Sequence, residues 1–265
     1  MLNKWLKCNE RNPRPYSLFV VIDVEEFEKV SLDTSEHLLN LLTTSRFDPE
    51  YLKAITQRLG WQNFKKSIIA KQVPKQTKIK RGQFGEALIN AILQEFYDYK
   101  IPVPKLYFRI TSDQSLPATD TVALKIGEQG AITEVCFVES KLRRDAKNVQ
   151  VALEGCSQLQ ADYQSKLPDI LKFISERLHE RQDPLFDAFL NYLGDRLDTT
   201  DRDTFSLSLC WEASAWSETV LENLQENNIE LPRLTVHLIR INNLSQLIDD
   251  LFAKMGVNEI SDDDD

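Results

Sequence analysis

Two periodicities divide the chain into elements before any single residue is considered. Residues 18–24 (LFVVIDV) form a short, nearly continuous apolar run of strand length, and residues 37–42 (HLLNLL) space their leucines as a helix does. Asp48, Pro49 and Glu50 read as the start of a second helix: the aspartate can cap free amides, proline suits the first helical position, and glutamate favours the positive end of the dipole. Leu52, Ile55 and Leu59 then share one face. Within residues 83–97 (QFGEALINAILQEFY), Phe84, Ala87, Leu88, Ala91 and Ile92 recur at helical spacing and predict a core-facing amphipathic helix. After Pro102 and Pro104 come three strand-like runs, 106–110, 121–126 and 134–139, with Gly127 and Gly130 making the turn between the last two. A helix expected from near Asp145 carries Val149, Ala152, Leu153 and Cys156 on its apolar side.

The pattern continues with helices over 168–180 and 184–197, broken at Arg181, Gln182 and Asp183. A strand over 204–211, a helix over 216–227, a strand over 234–241 and a helix over 245–255 complete it. This mixture of strands and helices is an α/β protein. The lysine-rich stretch around Pro74 reads as a linker, which divides the chain into an N-terminal α/β region, 1–75, offered as a partner contact, and a second unit, 76–260. An acidic tail, 261–265, is expected to be disordered.

Composition changes this picture in three places. A chain of 265 residues can bury a core without disulfides, and Cys8, Cys136, Cys156 and Cys210 show no metal or disulfide spacing, so they read as reduced thiols of a cytoplasmic protein. The run 18–24 is too short to span a bilayer and the N-terminal residues lack the apolar core of a signal peptide, so no membrane association is expected. The net charge of -9 opposes constitutive, tight binding to nucleic acid, yet residues 65–81 hold seven basic residues and no acidic ones. His37, His179 and His237 fall in separate segments and read as structural or surface residues, and Trp61, Trp211 and Trp216 as packing residues.

Candidate chemistry concentrates in the strands. Alternate residues share a strand face, so Val135, Phe137, Glu139 and Lys141 project together. Asp120 stands at the start of the preceding strand, and the hairpin turn returns Glu139 to its neighbourhood. Two carboxylates converging at the same end of adjacent strands make a hard oxygen site suited to Mg²⁺ or Mn²⁺, and a lysine beside them can hold an anion or a water. Hydrolysis of a phosphodiester needs an activated water and positive charge near the transition state, which a metal and a lysine supply together. In this reading Asp120 and Glu139 hold the metal, Lys141 orients the water, and Glu86, in the first turn of the helix predicted over 83–97, holds a second metal or a metal-bound water. The alternative for Glu86 is that it only favours the positive end of its helix. A lone Glu-x-Lys is common on solvated sheet faces, but Val135 and Phe137 argue that this face is buried, where charges need a reason. Lys80, Arg81, Arg143, Arg144 and Lys147 are the candidates for contact with nucleic-acid phosphates.

Taken in order and spacing, Gly85-Glu86, Ala118-Thr119-Asp120 and Glu139-Ser140-Lys141 resemble the PD-(D/E)xK nuclease superfamily. The wider runs RGQFGEALINAIL, IPVPKLYFRI, TDTVALKI and VCFVESKLR look more specifically like the HamA (DUF1837) family of the Hachiman anti-phage system. The resemblance implies a restriction-endonuclease-like mixed sheet flanked by helices, with an N-terminal α/β extension. It implies a DNase whose metal ligands are Asp120, Glu139 and the backbone carbonyl of Ser140, with Lys141 as the catalytic lysine and Glu86 as the accessory acid. It further implies Mg²⁺, for which Mn²⁺ can substitute, and a helicase partner, HamB, that restrains the nuclease and loads DNA. Thr119 stands where the superfamily has its nominal proline. Gln158 and Tyr163 are similar to a glutamine and a tyrosine on the helix after the lysine in some related nucleases, at a looser spacing. Two other readings stay open: a stand-alone restriction or repair endonuclease, and an inactive module that binds nucleic acid or a partner.

Overall fold

The computed structural model describes residues 1–60, 63, 68–108, 119–145, 148–227 and 229–256. Trp61, Lys65, Lys66, Ala118, Lys147 and the tail 261–265 lie outside the described residues. One seven-stranded mixed sheet forms the middle layer. In chain order its strands are β1 (Leu6–Glu10), β2 (Phe19–Glu26), β3 (Tyr99–Lys100), β4 (Thr121–Ile126), β5 (Ile132–Arg143), β6 (Asp203–Glu212) and β7 (Leu234–Ile241). The helices are α1 (Leu32–Thr44), α2 (Pro49–Leu59), α3 (Thr77–Tyr97), α4 (Val151–Ser165), α5 (Leu167–Glu180), α6 (Leu185–Asp195), α7 (Thr219–Glu226) and α8 (Leu244–Gly256). Across the sheet the order is β1-β2-β7-β6-β5-β4-β3. The four strands β2, β7, β6 and β5 run parallel, and the pairs at either side are antiparallel. Strands β1 and β2, from the first 75 residues, therefore hydrogen-bond into the same sheet as the rest.

A parallel sheet must be covered on both faces, and here it is. Val135, Phe137, Leu207, Leu209, Val236 and Leu238 pack with residues of α4, α5, α6 and α7 on one face. Cys136, Val138, Leu142, Cys210, Ile239 and Ile241 pack with α1, α3 and α8 on the other. Local chemistry sets the helix starts: Ser31 Oγ accepts from Thr34 N at α1, and Asp48 Oδ1 accepts from Glu50 N and Tyr51 N at α2, as the Asp-Pro-Glu sequence predicts. Burial pushes the Cys136 and Cys156 thiols up to about 12, which keeps them protonated.

Buried polar groups tie one helical layer to the sheet and two strands to each other. Asp203, the first residue of β6, is buried and accepts from Tyr163 Oη of α4 (2.5 Å), Tyr192 Oη of α6 (2.6 Å) and Arg196 Nε (3.0 Å). On the opposite face the buried His237 of β7 shares a hydrogen bond with Ser206 of β6 (Nδ1 to Oγ, 2.9 Å).

Several expectations are corrected. Residues 105–108 form a single 3-10 turn, not the strand predicted over 106–110; residues 109 and 110 lie outside the described residues. Pro102 and Pro104 offer no amide donors to a ladder, and the edge position is taken by Tyr99 and Lys100, paired with Lys125 and Leu124. Helix α3 begins at Thr77, so Lys78, Lys80 and Arg81 of the basic stretch are helical instead of linker. It is also buried all round from Gln83 to Leu93, because α1 and α8 pack on the side away from the sheet; Gln83, Glu86 and Asn90 look like a solvent stripe in the sequence but lie inside. The helix expected from Asp145 starts at Val151, after Val149. Trp216 lies outside α7 and packs edge-on against Trp211 (5.2 Å between ring centroids).

Candidate active site

The β4–β5 hairpin brings the first two carboxylates together. Its register pairs Thr121 with Val138, which places Asp120, one residue before β4, beside Glu139 and Ser140. Asp120 Oδ2 accepts a hydrogen bond from Ser140 N at 2.9 Å. The turn that fixes this register is the one predicted: Gly127 N donates to Ala131 O (2.8 Å), and Gly130 adopts a left-handed φ of 80° that suits glycine.

The two faces of β5 carry different parts of the site. Glu139 and Lys141 alternate with Phe137 toward α4, whose Gly155 leaves room for the lysine stem: a methyl group there would lie 3.4 Å from Lys141 Cγ and 2.6 Å from Leu207 Cδ1. Ser140 faces α3, and a methyl group on Gly85 would lie 2.8 Å from Ser140 Oγ. Gly85 thus lets α3 approach β5 closely, which sets Glu86 on the helix turn that covers Ser140.

Electrostatics single out Glu139. It is 5% exposed, and burial together with the charge of Asp120 pushes its carboxyl up to about 7, against the opposing pull of Lys141 and Lys105. Lys141 Nζ donates to Glu139 Oε1 at 2.6 Å. Lys105 Nζ donates to the carbonyl of Thr119 at 3.2 Å, next to Asp120. Sequence reasoning missed Lys105. It falls in PVPKLYF, where no periodicity marks it; its one signal is a cation held between Pro104 and the buried Leu106.

These strands and this helix lie within a match of residues 1–255 to the HamA family. The chain belongs to the HamA family. As a HamA-family chain it is a Hachiman-system component. The match takes in every strand and all of α1 to α7, well beyond the runs around the site. Among curated proteins none matches the chain. No helix among the described residues is long and apolar enough to cross a membrane.

In this HamA-family chain Asp120, Glu139, Ser140 and Lys141 are brought together, with Glu86, 4% exposed, on the packed helix behind Ser140. Among the described residues no three His, Cys, Asp or Glu side chains gather as a ready metal-holding group. The donor set around Asp120 and Glu139 nonetheless suits a hard divalent cation: the buried Glu139 carboxylate and the half-buried Asp120 repel one another, which a cation would relieve. The hydroxyls of Thr119 and Ser140, flanking the pair, are buried without a hydrogen-bond partner among the described residues. The basic candidates divide. Arg81 lies close enough to Arg144 for its pKa to be lowered, after the larger effect of burial, by that like charge. Lys80 Nζ sits 5.9 Å from the centroid of the Phe252 ring, and Arg143 is drawn toward Glu154 (4.0 Å). Gln158 donates to Asp162 and Tyr163 to Asp203, so both serve the scaffold. His37 pairs with Glu95, His179 packs on Phe186 and His237 is buried, so the histidines do not converge.

Proposed function

We propose that the chain is a metal-dependent DNA nuclease of the PD-(D/E)xK type, the cleaving effector of its Hachiman system, working with the helicase HamB. The observation that carries this reading is the pairing of the buried Glu139 with the half-buried Asp120 across adjacent strands, with the Lys141 ammonium 2.6 Å from Glu139. Asp120, Glu139 and the backbone carbonyl of Ser140 would hold Mg²⁺, for which Mn²⁺ can substitute, and Glu86 would assist from α3. A bound divalent cation supplies concentrated positive charge where the transition state gathers negative charge. Hydrolysis forms one bond between a water oxygen and phosphorus and breaks one phosphorus–oxygen ester bond. Lys141 carries three N–H donors; one holds Glu139, and the others can orient the water and the phosphate. Arg81 and Arg144, like charges near the strand end with Asp145 and Asp249 close by, are suited to a neighbouring phosphate of the same strand.

The net charge of -9 makes a partner that delivers DNA physically reasonable, since the isolated chain has little long-range attraction for it. The test is cleavage of plasmid DNA by the purified chain in Mg²⁺, Mn²⁺ or EDTA, with and without HamB. Cutting should need metal and be abolished in Glu139→Ala and Lys141→Ala, whose melting temperatures show that they remain folded. Suppression by the helicase favours the two-component system over a stand-alone endonuclease. A Glu139→Ala/Lys141→Ala double variant that cuts as well as wild type would sink the site.

A further inference from the structure

Resting on the nuclease reading above, we propose that Lys105 is a second phosphate-binding cation of the active site, reaching the scissile phosphodiester from the β4 side while Lys141 reaches it from the β5 side.

The geometry begins with the 3-10 turn Lys105–Phe108, which is anchored by the buried Leu106. That anchor fixes the neighbouring lysine, whose Nζ donates to Thr119 O at 3.2 Å. Thr119 immediately precedes Asp120, so this hydrogen bond sets the ammonium beside the carboxylate pair. Its field reaches Glu139, which counts Lys105 with Lys141 among the cations that stabilise its charged form.

Two carboxylates, Asp120 and Glu139, stand beside two ammonium groups, those of Lys141 and Lys105. A divalent cation bound to the carboxylates would add positive charge there and repel both ammonium groups. A phosphodiester brings negative charge, and each lysine gains by turning to it. Lysine suits this use because its compact charge sits on a flexible stem.

The experiment compares wild type with Lys105→Met and Lys105→Arg, all as the full chain. Mn²⁺ affinity is measured by calorimetry without DNA, cleavage by single-turnover kinetics over a range of DNA concentration, and folding by thermal melting. Loss of a charged hydrogen bond to phosphate should lower the cleavage efficiency of Lys105→Met about 10- to 100-fold, and Lys105→Arg should recover part of it. Mn²⁺ should bind Lys105→Met as tightly as wild type or more tightly, because a competing positive charge has gone. A residue that only props up Thr119 predicts the opposite: weaker Mn²⁺ binding and a lower melting temperature. That result, or wild-type cleavage by Lys105→Met, overturns the proposal alone. No cleavage by wild type under any metal overturns the nuclease reading and takes this one with it.

Discussion

Gly155 has no side chain, and the stem of Lys141 and the tip of Leu207 occupy the space one would fill. Gly155→Ala should therefore cost about 1–3 kcal/mol in urea unfolding and also slow cleavage, because the lysine stem must give way. Gly82, on the exposed side of α3 with nothing within 4 Å, is the control: Gly82→Ala should stabilise by roughly 0.5–1 kcal/mol and leave any cleavage unchanged. If both substitutions behave alike, close approach at Gly155 is not what requires glycine. At this scale the sequence was most informative where chemistry and pattern coincide. Asp120, Glu139 and Lys141 stand out because charges at alternate strand positions interrupt apolar ones. Lys105 stays silent because its role depends on where Thr119 lies, a contact across the fold that no local spacing encodes.

Among the elements, the network on Asp203 joins β6 to α4 and α6 through side chains alone. Asp203→Ala leaves Arg196 and two tyrosine hydroxyls without their shared acceptor and should destabilise the protein by about 3 kcal/mol, whereas Tyr192→Phe should cost about 1 kcal/mol, both read by chemical denaturation. Equal small losses would mean that the carboxylate is not the hub. Elements with a strong period were legible: β7 spans 234–241 as expected, and α2 begins at its Asp-Pro-Glu cap. The failures share a cause. The 3-10 turn at 105–108 alternates like a strand for too few residues to tell the two apart, and α3 shows polar positions that only its covering helices make interior.

For the molecule as a whole, His237 gives the clearest dependence on pH. Burial lowers its pKa from 6.5 to about 4, so the unfolded chain takes up a proton that the folded chain refuses until lower pH. The contribution is fully present above 6.5 and is lost as pH falls toward 4; between pH 7 and pH 5 the loss should be about 2 kcal/mol. Urea melts of wild type and His237→Gln should show a steeper acid decline in wild type, and parallel declines would refute the assignment. The mixed, helix-flanked sheet was legible as a class, but its strand order was not, because pairing partners far apart in sequence leave no local mark. The parallel pairing of β2 with β7, which sets Phe19 beside Leu234, has a consequence in time. During translation the ribosome releases Glu139 and Lys141 long before it makes the strand on which β2 must dock. A nascent or prematurely terminated chain thus carries every proposed catalytic residue before the sheet is complete, so if the proposed cleavage needs the whole sheet, chains ending before β7 should cut no DNA.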